Sequence, residues 1–259
     1  MSFWMRRLRA ALPWLAVALI ANVVMLLVMA PAAWVTPQFA KATQGHVNLV
    51  EPSGSLWRGS ASLMLSAGPG AESATLLPGR IEWRTSFWPL LVGRVHMQMR
   101  QSEAMPDPVN VDATPRSATL SGGSIAVPAA LLAGLGAPFN TLDLQGDVRL
   151  SWTDWRSFNR QAFGQLIVTL NDMSSRVSRV KPLGSYRVVF QAAGGSGTLD
   201  LTTTKGPLLL NGHGTVSPAS TAFTGMASST PDAADNLAGL LNLLGRPVGP
   251  GQVALSFVH

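Results

Sequence analysis

Four histidines, a pair of nearby aspartates and a set of arginines are the side chains with chemistry to offer. His46, His96, His213 and His259 are scattered along the 259 residues, and none has a second histidine or carboxylate at metal-ligand spacing. Asp143 and Asp147 lie four apart, which on a strand puts both on one face, where paired carboxylates could pass a proton. No partner to orient such a base can be named, and an aspartate at a turn or beside Arg149 is the commoner use. There is no nucleophile elbow, phosphate loop or dinucleotide fingerprint, and Gly212-His213-Gly214 lacks a third glycine. The chain has no cysteine, which removes disulfides, thiolate catalysis and cysteine metal sites. A protein without catalytic residues, metal or cofactor is therefore expected. Arg58, Arg80, Arg84 and Arg94 could form a basic strip facing lipid headgroups or an acidic partner; a solvated sheet face is the plainer reading.

The element that must position everything else is residues 10–35, AALPWLAVALIANVVMLLVMAPAAWV, which contain no formal charge. As a helix this stretch spans roughly 39 Å, against about 30 Å for the hydrocarbon core of a bilayer. Arg6, Arg7 and Arg9 precede it, and the next charge after it is Lys41. The positive-inside rule then makes 1–9 a cytoplasmic tail, 10–35 a transmembrane helix and 36–259 a periplasmic domain. Trp14 and Trp34 sit where interfacial aromatics would flank the span. A cleaved signal peptide is the competing reading, but its apolar region runs only about 7–15 residues. Asn22, near mid-span, reads as a tolerated amide more readily than as a hydrogen bond to a partner helix.

Three of the 19 basic residues precede the span, leaving 16 against 13 acidic ones beyond it. So mild an excess argues against nucleic acid as a partner. The exported part alternates with period two. Strands are expected over 46–50, 56–66, 79–84, 92–100, 118–127, 142–152, 165–170, 186–192, 198–204, 208–216, 223–228 and 253–258, separated by Gly, Pro and Asn turns. Residues 101–116, with Pro106, Pro108 and Pro115, read as a loop. Trp88 before Pro89 favours an extended or turn conformation. Residues 128–135 read as a short helix, and 233–244 as a longer one with Asp232 as N-cap and Gly245 past its end. The fold class is mainly β: a curved, largely antiparallel sheet, an open or partly closed barrel or groove, with one or two short helices. Trp57, Trp83, Trp88 and Trp152 are expected in its core.

Several segments together resemble the type II secretion system protein N family. They are GSLWRGSA (54–61) and LPGRIEWR (77–84), then PLGSYRVVF (182–190), TTTKGPLLLNGHGTV (202–216), FTGMAS (223–228) and LAGLLNLLGR (237–246), in the family's order. The matching positions are Gly54, Leu56, Trp57, Gly59, Gly79, Trp83, Leu183, Gly184, Tyr186, Gly206, Pro207, Gly212 and Gly225, with a structural or interaction role implied. The resemblance implies a non-enzymatic, single-pass inner-membrane component of the Gram-negative machine that exports folded periplasmic proteins. Its partners would be the bilayer and other secretion subunits, those of the inner-membrane platform and the secretin. The curled sheet is also similar to AsmA-type envelope proteins, which implies a lipid-binding or lipid-transfer groove as the alternative.

Overall fold

The computed structural model describes residues 18, 21, 22, 25, 29–68, 70, 74–135, 139–159, 161–218 and 220–258. Seventeen strand segments form one sheet, paired antiparallel throughout. They are β1 (Val47–Gly54), β2 (Arg58–Ser66), β3 (Ala74–Leu76), β4 (Ile81–Thr85), β5 (Val95–Gln101) and β6 (Val109–Ala113). After these come β7 (Ser117–Leu120), β8 (Gly123–Pro128), β9 (Leu144–Trp152), β10 (Trp155–Phe158), β11 (Gln161–Ser175) and β12 (Gly184–Gly194). The last are β13 (Ser196–Lys205), β14 (Leu208–Val216), β15 (Thr221–Ser229), β16 (Arg246–Gly249) and β17 (Gln252–Val258). Among the described residues from 29 onward the helices are α1 (Thr36–Ala42), α2 (Phe87–Leu90), α3 (Phe139–Leu142) and α4 (Ala234–Leu244).

Several segments are halves of one bent strand. Leu120 pairs with Trp155 and Gly123 with Trp152, so β7–β8 and β10–β9 form a hairpin in unbroken register. β3 and β4 likewise share the same edge of β2. Seventeen segments thus make fourteen strands, three of them bent, in a meander. The one departure from nearest-neighbour order is at the end, where α4 carries the chain past β17 so that β16 becomes the outer strand. Among the described residues β1 and β16 do not pair, and the sheet stays open. Pro247 in the short, exposed β16 removes a backbone donor and blunts that edge.

Alternation decides which face is buried. One face carries Leu150, Val168, Val188 and Leu201 in a cross-strand row, and Val148, Leu170 and Tyr186 in the next. α4 lies on it, with Leu237, Leu240 and Leu241 buried against a cluster that includes Val148, Met173, Leu183, Ala227, Val253 and Leu255. The sheet also curls. The 3-10 turn Ala129–Leu135 leaves β8, yet its Gly134 lies against the Leu65 carbonyl of β2 and the Thr75 nitrogen of β3. Those strands are well separated from β8 in the meander, so only a curved sheet brings them to one segment.

Differences from the sequence reading have local causes. Residues 101–116 are not all loop: Val109, Val111 and Ala113 alternate as β6, an element the flanking prolines hide. β3, β10 and β16 are too short for a periodic signal. Asp143 is not on the strand with Asp147; it sits at positive φ in the turn before β9 and pairs with Arg176 at 3.1 Å. α4 starts at Ala234 with no side-chain cap, because a 3-10 turn, Pro231–Ala233, takes up Asp232. Trp88 and Pro89 lie in one helical turn, short enough for proline to break no interior bond.

Residues 1–17, with Arg6, Arg7, Arg9 and Trp14, lie outside the described residues, as does much of 18–28. The transmembrane helix expected over 10–35 therefore falls mostly outside them. Within it, Asn22 donates to the Ala18 carbonyl at 3.4 Å, a bond inside its own segment. Among the described residues no helix is long and apolar enough to cross a membrane. The end of that stretch belongs to the β domain. Ala30 and Ala32 are buried, Pro31 forms a β-bridge with Ser55, and Trp34 ends the 3-10 turn Ala32–Trp34, exposed.

Candidate functional site

The apolar face of the sheet is covered unevenly. Where α4 lies on it, Tyr186, Leu208, Ala227 and Val253 are buried. Farther along the same strands, Trp152, Leu166, Phe190, Leu199 and Phe223 form a row by register and remain half-exposed. The helix α4 packs chiefly over β15 and β17, and this half-buried row lies nearer the hairpin turns at the other end of the strands. Trp155 stacks on Phe190 there, with centroids 6.2 Å apart and planes 15° apart.

Most of the expected family positions turn out to make room for this face or shape its turns. Gly59 is the cross-strand partner of Trp83, and a Cβ on it would sit 2.5 Å from the indole and 2.7 Å from the Ser55 carbonyl. Trp83 is thereby buried over Ala61, with Leu49, Met97 and Met99 packed around it. Among the described residues its Nε1 has no hydrogen-bond partner. Gly212 does the same for Phe223, whose ring occupies the space a Cβ would take. Gly225, its cross-strand partner, lies within 2.6 Å of the Asn211 carbonyl by the same measure. Gly54 turns the β1–β2 hairpin, and Gly79 sits against the Gln101 amide in the bend between β3 and β4.

Leu183, Gly184, Tyr186, Gly206 and Pro207 converge on one corner. The Leu183 N–H donates to the Met173 carbonyl at 2.7 Å, and its own carbonyl accepts from Leu208 at 3.0 Å. Gly206 lies directly against Gly184, and the Pro207 carbonyl accepts from Thr230. The Tyr186 hydroxyl donates to the Leu208 carbonyl at 3.2 Å, and burial pushes its pKa far up, so it stays protonated. Leu56 and Trp57 form the β1–β2 turn. The Leu56 N–H donates to the Ala30 carbonyl at 2.9 Å, and Trp57 stands edge-on to Phe87, 5.3 Å between centroids.

Among the described residues the groups that could do chemistry meet in isolated pairs. His96 pairs with Asp112 and His213 with Asp200, each at 2.6 Å between exposed neighbours on adjacent strands. Among the described residues no three histidines or carboxylates cluster as a metal site would need. Arg80 is tied to the Ser60 hydroxyl at 3.1 Å and the Glu51 carbonyl at 2.7 Å, a packing role. Arg58 and Arg84 are cross-strand neighbours on the polar face. With Glu82, Gln98 and Arg100 they line a shallow cleft of about 410 Å³. Of the four tryptophans expected in the core, Trp88 is a clear exception at 78 % exposed. Pro89 beside it was the available signal, since proline in a short turn holds its neighbours away from the sheet.

Sheet and turns define a mainly β protein, one large antiparallel sheet with few short helices among the described residues. The chain belongs to the type II secretion system (T2SS) protein N family, whose profile matches residues 45–256, nearly the whole sheet. Members of this family are components of the secretion apparatus and are not known as enzymes, and interaction with other subunits follows from membership. No curated protein and no solved structure matches the chain.

Proposed function

We propose that this chain is a non-enzymatic, single-pass subunit of the type II secretion system, held in the inner membrane by residues 10–29. A helix of that length spans about 30 Å, enough for the hydrocarbon core. Residues 1–9 stay cytoplasmic, following the arginines, and the sheet stands in the periplasm. Its role is to scaffold contacts with the inner-membrane platform and the secretin, through its edges and half-exposed apolar face. The family match across the sheet carries this reading. Deleting residues 36–259 from the chromosomal copy should stop export and leave the secreted proteins in the periplasm. Undiminished export would contradict it.

A second reading has one observation in its favour, the half-exposed row Trp152, Leu166, Phe190, Leu199 and Phe223. A lipid chain laid along that row would cover it, as in AsmA-type envelope proteins. Native mass spectrometry of the purified full chain distinguishes the two. Stoichiometric lipid retained after detergent exchange favours the lipid groove, and its absence favours the scaffold.

A further inference from the structure

In an antiparallel meander alternate turns lie at opposite ends. The turns at 54–58, 85–95, 113–117, 158–161, 194–196 and 216–221 share one end, and α4 lies toward the other. The shared end is unlike its opposite in charge. Its turns carry Arg58, Arg94, Arg116 and Arg160, and no aspartate or glutamate occurs in those ranges. Turns at the other end mix Glu72, Glu103, Asp107, Asp143 and Asp232 with Arg176, Arg179, Lys181 and Lys205.

The 86–94 turn, SFWPLLVGR, stands out at this end. Trp88, Leu91 and Val92 are 78 %, 65 % and 74 % exposed. Phe87 turns back onto Trp57, so the outer three are held away from the sheet on a turn that is itself braced. Consecutive large apolar side chains presented in this way mark a contact surface.

The route of the chain says what they contact. The Ala30 carbonyl accepts from the Leu56 N–H at 2.9 Å, and the Leu56 carbonyl accepts from the Thr85 hydroxyl at 2.9 Å. The residue at which the uncharged 10–29 segment ends is therefore two hydrogen bonds from the root of the 86–94 turn. We infer that this end of the sheet rests on the periplasmic leaflet of the inner membrane. Trp88, Leu91 and Val92 enter the headgroup region, and Arg58, Arg94 and Arg116 face the phosphates. A tryptophan beside aliphatic side chains, ringed by arginines, is the composition that suits that interface. The inference rests on the membrane-anchor reading above, and it adds that the sheet is docked on the bilayer and not free on a tether. Docking would fix the direction in which the sheet's apolar face and strand edges point.

The absence of native cysteine makes the test direct. Trp88→Cys, Leu91→Cys and Val92→Cys, with Val177→Cys from the opposite end as control, are labelled with an environment-sensitive fluorophore. The full chain is then reconstituted in phosphatidylethanolamine–phosphatidylglycerol vesicles, with or without lipids brominated near the headgroup. Bromolipid should cut the emission at 88, 91 and 92 to about half or less, leaving 177 unchanged, as insertion to interfacial depth requires. Equal response at all four sites, in protein that stays with the vesicles through a carbonate wash, overturns the docking and leaves the anchor standing. Loss of the protein in that wash overturns both.

Discussion

From β9 to β17 the apolar face is packed into a buried cluster that runs from Val148 through Tyr186 and the α4 residue Leu237 to Leu255. From β1 to β6, among the described residues, the corresponding cluster is Ala32, Ala61 and Trp83, with Leu49, Met97 and Met99 partly buried around them. One sheet thus has a thick half with a helix to close it and a thin half with a single large side chain at its centre. Stability scales with apolar area removed from water, so the thick half should hold the fold together. The thin half carries the exposed 86–94 turn, the 410 Å³ polar cleft and the junction with Ala30. Local opening is expected to cost less there.

The most damaging single change should be in the thick half. Leu237→Ala removes a fully buried side chain of α4 and is expected to cost about 2–5 kcal/mol, read as a lowered denaturation midpoint with loss of the whole sheet. Were the thin half to unfold first and alone in that variant, the division would be wrong. Gly59→Ala presses a methyl into the Trp83 indole and the Ser55 carbonyl, at about 1–3 kcal/mol. Its signature should be local: limited proteolysis opens residues 45–101 while 161–258 stay resistant, and a uniform loss of protection would break the comparison.

A smaller effect is expected at Tyr186, the chain's sole tyrosine. Tyr186→Phe deletes the bond to the Leu208 carbonyl and should cost about 0.5–1.5 kcal/mol. The same residue supplies a pH test. Burial raises its pKa above the ordinary 10.0, so the folded chain keeps a proton that the unfolded chain releases. Its contribution is then complete below about pH 10 and declines as pH rises beyond it, with tyrosinate absorbance appearing only as the thick half unfolds. A phenol titrating normally in folded protein would show that the thick half is open. The least effect is at the outer edge. Pro247→Thr should shift stability by no more than about 0.5 kcal/mol while raising self-association, seen by light scattering, because it restores an edge donor.

How far these halves were legible in the sequence follows from their physics. Leu208–Val216 is read at its observed limits because its alternation is bounded by Gly206-Pro207 and Ser217-Pro218. α4 is evident from Leu237, Leu240, Leu241 and Leu244 at helical spacing, but its first residue is not, since the 3-10 turn before it leaves no capping side chain. In the thin half Val109–Ala113 is obscured by Pro106, Pro108 and Pro115, and the continuity of β3 with β4 by the bend at 77–80. The family positions are visible as glycines and aromatics, yet which aromatic lies over which glycine depends on register between strands distant in sequence. The half-buried row Trp152, Leu166, Phe190, Leu199 and Phe223 is likewise a product of register across several strands, which no local pattern encodes.

The proposed topology, a sheet held on the outer side of the inner membrane by an apolar N-terminal segment, is tested by a single labelling experiment. Ser2→Cys and Val177→Cys are placed separately in the cysteine-free chain, and intact spheroplasts are treated with a membrane-impermeant maleimide. Labelling at position 177 and none at position 2 until the cells are lysed is the expected result. Protection of position 177 in intact spheroplasts would contradict it.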